Sequence, residues 1–123
     1  MREENIVKNV IEKLDSILNG DAEQLVETAD KFGEHLSRGG LSTSQIRNIF
    51  NDVKKMNRYD KDKLNLLRPK IAYIAGRHGG MVKDLQRVLD NAIQKTNDEK
   101  KFNMFKEFFE AILAYHKYYG GKD

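Results

Sequence analysis

Cysteine and tryptophan are absent from the 123 residues, and proline occurs once. Without cysteine there is no disulfide framework, no thiol nucleophile and no thiolate metal ligand. A single proline leaves no proline-rich linker. No apolar run approaches the roughly 18 residues of a membrane span. The opening stretch, MREENIVKNV, lacks the basic-then-apolar layout of a secretory signal. These absences lead to the expectation of a soluble, cytoplasmic protein with no membrane contact.

Strand patterning is also missing. Nowhere do apolar and polar residues alternate for long, whereas apolar residues three and four apart recur throughout. Val7, Val10, Ile11, Leu14, Ile17 and Leu18 form one stripe over about residues 3–18. Leu25, Val26, Ala29, Phe32 and Leu36 form another over about 22–37. NGD at 19–21 and RGG at 38–40 supply stops and caps. Ser42 and Gln45 have capping-box spacing, with Leu41 and Ile46 placed to form a hydrophobic staple. That helix is expected to reach about Met56.

Leu64, Leu67, Ile71 and Ile74 continue the helical spacing, with Pro69 inside it. Either a helix starts near Arg68, or a longer one is kinked at the proline. The unbroken stripe favours the kink. Further helices are expected over about 81–95 and 98–119. The last has aromatic or aliphatic residues around more than half its circumference, so it is either central or covers a partner. The expected fold is all-α: a compact bundle of five to six helices, one domain over residues 1–123.

Little suggests chemistry. His35, His78 and His116 are far apart and lack partners at metal-site spacing. His116, on the aromatic helix, reads as a hydrogen-bonded core or interface residue. The glycine pairs at 39–40 and 79–80 follow no strand and lack the Walker lysine spacing. Neither a catalytic centre nor a metal or other cofactor is expected.

Charge is unevenly distributed. Residues 1–34 carry 4 basic and 9 acidic residues, a net of −5. Residues 35–87 carry 12 and 4, a net of +8. Such asymmetry fits either a polyanion-facing surface or chance clustering on solvated helices. Geometry favours the first. Arg47, Asn51, Lys54 and Arg58 recur at i, i+4, i+7 and i+11, opposite Ile49, Phe50 and Val53. The four fall within roughly 60° of each other and form a stripe about 16 Å long. Lys70, Tyr73 and Arg77 recur at i, i+3 and i+7, and Arg68 and Lys70 flank Pro69. Tyr73 either stacks on a base or ribose or closes the edge of the core. Cations at loose spacing neutralise phosphates and carry little sequence information.

Three segments also resemble a known family. LSTSQIRNIFNDVKK, LNLLRPKIAYIAGR and FKEFFEAILAYHKYYGGKD, in order over about residues 41–122, resemble the small helical subunit of the type III-A CRISPR effector, the Csm complex. Residues 1–40 match only in being helical and acidic. The resemblance implies a non-catalytic subunit present in several copies. It implies contacts with CRISPR RNA and with the target RNA backbone. It also implies contacts with the repeated backbone subunit, the large signalling subunit and copies of the chain itself. Carried onto these positions, the RNA-facing residues are Arg47, Lys54 and Arg58, then Arg68, Lys70 and Arg77. The rival expectations are a free-standing helical nucleic-acid-binding regulator and a protein-only assembly adaptor.

Overall fold

A computed structural model describes the backbone of residues 2–121 and the side chains of residues 6–121. The acidic side chains of Glu3 and Glu4, and the last two residues of the third resembling segment, lie outside the described residues. The element order is α1 (Arg2–Leu18), α2 (Ala22–Arg38), α3 (Thr43–Lys54), α4 (Lys61–His78), α5 (Met81–Lys95) and α6 (Glu99–Tyr118). Side-chain caps start four of them. Asp21, Ser42, Asp60 and Asp98 each accept the backbone N–H three residues on, as a polar N-cap should. At Ser42 the full capping box forms, and Leu41 and Ile46 are both buried beside it.

Helix α6 is the axis of the bundle. It packs most extensively on α2, and also on α3 and α1. Phe102, Phe105, Phe108, Phe109 and Ile112 are fully buried. The wide apolar surface read from the sequence is therefore mostly covered within the chain. Only its end is open: Tyr118 is 77% exposed and stands edge-on to Tyr119. The Tyr119 hydroxyl donates to Asp30, which pushes its pKa up to about 12. The close α2–α6 crossing requires Gly33, where a Cβ would lie 2.7 Å from that of Tyr115.

Helix α4 runs unbroken from Lys61, with Pro69 inside it, so no helix starts near Arg68. Proline forfeits one backbone hydrogen bond and crowds the preceding turn, at a cost of about 3 kcal/mol. Leu64 before it and Ile71 and Ala75 after it are all buried. At roughly 1.5–3 kcal/mol per large side chain, that burial offsets the loss.

His116 ties the end of α6 to the start of α3. Its side chain is fully buried, and its Nε2–H donates to the carbonyl of Leu41, one residue before the α3 cap. Gly121 covers the ring so closely that a Cβ there would overlap Cε1. Burial holds the imidazole pKa below its ordinary value, outweighing the hydrogen bond to Leu41; nearby Lys117 adds to the depression. The unfolded chain therefore takes up this proton first, near pH 6.5. The stabilisation is complete above that pH and is lost as pH falls below it. Melting curves from pH 8 to pH 5 should show a decline below about 6.5 that His116→Gln lacks. Parallel declines in the two proteins would mean that another group is responsible.

Candidate nucleic-acid interface

The α3 face is built from its cap outward. With Ile46, Ile49, Phe50 and Val53 buried, the 3.6-residue repeat turns Arg47, Asn51 and Lys54 to solvent. All three lie within roughly 60° around the helix. Among the described residues, neither Arg47 nor Lys54 has a carboxylate within ion-pair distance. A face made only for solubility would mix signs or pair them.

The structure corrects the length of this stripe. Helix α3 stops at Lys54, with Lys55 as its C-cap. The Met56 N–H bonds to the Val53 carbonyl, a tighter three-residue closure. The Tyr59 N–H is taken by the Glu99 carboxylate at 2.8 Å, from the start of α6. The chain therefore leaves the helical path before Arg58, which lies in the α3–α4 turn and not on the α3 face. The helical stripe is about 10 Å long instead of about 16 Å.

On α4 the expected residues divide. Arg68 forms a two-pronged contact with Asp90 of α5, at 2.8 Å and 3.3 Å, and also donates to Asn65. That contact raises the Arg68 pKa and lowers that of Asp90. Lys70 pairs with Asp52 of α3 at 2.8 Å. These two cations fasten α4 to its neighbours, whatever else they touch. The Lys70 pair is half exposed and so contributes at most about 1 kcal/mol. Arg77 is exposed with no carboxylate partner among the described residues. Tyr73 is 67% exposed, so it does not close the core edge.

Some surface residues had no place on the stripes read from the sequence, although Lys55 and Lys63 belong to its basic stretch. Leu66 is 70% exposed on the same side of α4 as Tyr73, with Pro69 and Ala72 also exposed. The signal for this open face was that α4 carries apolar residues all around its circumference. Lys55, Asn57 and Lys63 are exposed around the α3–α4 turn. A helical wheel continued through residue 58 turns Lys55 away from the stripe, and that hid the group. Among the described residues, no three histidine or acidic side chains converge in a way that would hold a metal ion. Among the described residues, no helix is long and apolar enough to cross a membrane.

A family model described as Csm2 Type III-A matches residues 19–122. The match begins 22 residues before the segments whose resemblance was noted, so it takes in α2 as well as α3–α6. A Streptococcus thermophilus protein named "CRISPR system Cms protein Csm2" is 35% identical over 94 residues, which is 68% of this chain and 76% of that protein. An Enterococcus italicus protein of the same name is 28% identical over 96 residues, 65% of this chain and 69% of that protein. No solved structure matches the chain.

Proposed function

This chain belongs to the Csm2 family of type III-A CRISPR systems, the small subunits of the Csm complex, and from that premise we propose that it binds RNA backbone there without sequence choice. The carrying observation is the α3 face: Arg47, Asn51 and Lys54 exposed together on a helix whose start is fixed by a capping box and by His116. The backbone of such a helix is ordered before it meets phosphates, so only side-chain freedom is lost on binding. Arg58 in the α3–α4 turn and Arg77 near the end of α4 extend the basic surface beyond the C-terminal end of α3 in sequence. With no element that reads base edges, guide RNA and target RNA are recognised through their phosphates.

The subunit is non-catalytic and works in the cytoplasm, as one domain, by bridging. The exposed Leu66 and Tyr73 on α4 support contact with neighbouring subunits: the repeated backbone subunit, the large signalling subunit, or another copy. Arg68 and Lys70 reach RNA only if they loosen their ion pairs.

The test is salt dependence. The isolated chain should bind single-stranded RNA weakly. Three phosphate contacts give a log–log slope of about −2, at roughly −0.7 per contact. Affinity should therefore fall about 15-fold between 50 and 200 mM salt. A slope near zero would overturn the proposal.

A further inference from the structure

The turn between α3 and α4 encloses a cleft of about 390 Å³. Its lining is Lys55, Met56, Asn57, Arg58, Asp60 and Lys63. Three of these are cations, supplied from both sides of the turn, and all three are exposed with no carboxylate partner among the described residues. The only acid in the lining, Asp60, already accepts the Lys63 N–H at 3.0 Å as the N-cap of α4. Asn57 adds an exposed amide, and half-buried Met56 adds an apolar surface.

Two features separate this cleft from an ordinary solvated loop. The first is that it is held open. Glu99 fixes the Tyr59 N–H, the Tyr59 ring packs on Phe102 with centroids 6.2 Å apart, and the Lys55 and Met56 N–H groups bond back into α3. The second is where the charges stand. Lys61 and Lys63 occupy the first turn of α4, where the positive end of the helix dipole opposes them, beside Asp60 at the N-cap and Asp62. The two acids answer the dipole, and Lys63 lines the cleft with no carboxylate partner among the described residues.

Building on the RNA-binding reading above, we propose that this cleft seats one phosphodiester of the bound RNA. Lys55, Arg58 and Lys63 surround the phosphate, the Asn57 amide bonds to it or to the ribose, and Met56 contacts the sugar. Lys55 is the C-cap of α3, directly after Lys54, so the cleft lies at the C-terminal end of the helix that carries the basic face. The α3 face alone would let RNA slide. A concave seat at its end fixes the strand's position on the subunit.

The experiment compares two variants of the full chain in oligouridylate binding over 50–200 mM salt. Lys55→Gln/Lys63→Gln empties the cleft of two cations. Lys8→Gln/Lys13→Gln removes the same charge from exposed positions on α1. The cleft variant should bind about fivefold more weakly at low salt and lose about 0.7 of the slope, one phosphate contact. The α1 variant should change less than twofold. On RNA titration, the Asn57 side-chain amide should be among the most shifted signals in the nuclear magnetic resonance spectrum. Equal losses in the two variants overturn the cleft and leave the α3 surface standing. Absence of salt-dependent binding by the intact chain overturns both. Tighter uptake of uridine monophosphate than of the oligomer would mark a free-nucleotide site and would also overturn this assignment.

Discussion

Phe109→Ala will lower the stability of the fold by about 3–5 kcal/mol, the largest effect expected from any single substitution here. Phe109 is fully buried on α6, the helix that α1, α2 and α3 share. Its ring meets Phe50 edge-on at 5.1 Å between centroids and Phe105 at 6.3 Å. Truncation removes the transfer energy of the ring and two aromatic contacts, and leaves a cavity between helices that can collapse only partly. Since Phe50 lies on the inner face of α3, the loss also loosens the helix that carries the basic stripe. Denaturant unfolding followed by circular dichroism measures the change. A loss below about 1 kcal/mol would mean that α6 is not the axis of the bundle.

Reversing charge on the α3 face should do the opposite: leave the fold and remove the function. Arg47→Glu/Lys54→Glu alters two exposed side chains with no carboxylate partner among the described residues. Surface changes of this kind stay within about 0.5 kcal/mol, so the melting curve should barely move. RNA affinity at low salt should fall roughly a hundredfold, about tenfold or ~1.4 kcal/mol for each cation. That is close to the 1.5–3 kcal/mol of a hydrogen bond to a charged group, before any repulsion from the introduced carboxylate. Unchanged RNA binding would move the interface elsewhere. A collapsed melt would show that the stripe is structural.

Which segments are helical, and which face of most of them turns inward, was legible in the residue pattern alone, although Val26, read into the α2 stripe, is exposed. Apolar residues three and four apart bury themselves whatever their neighbours do, and local caps such as Ser42 with Gln45 need only their own backbone. For the same reason Arg47, Asn51 and Lys54 were legible as an exposed row: their orientation follows from the burial of Ile46, Ile49, Phe50 and Val53. Packing between helices settled what periodicity cannot encode. Arg58 left the row because Glu99, forty residues away, captures the Tyr59 N–H and draws the chain off the helical path. Arg68 and Lys70 gained partners because α5 and α3 bring Asp90 and Asp52 beside them. The outcome at Pro69 depended on Leu64 and Ile71 being buried together, which holds one helix across a residue that disfavours it locally. The cationic cleft formed where a turn and a helix start face each other. Contacts between residues distant in sequence have no period, so they become visible only when the helices have packed.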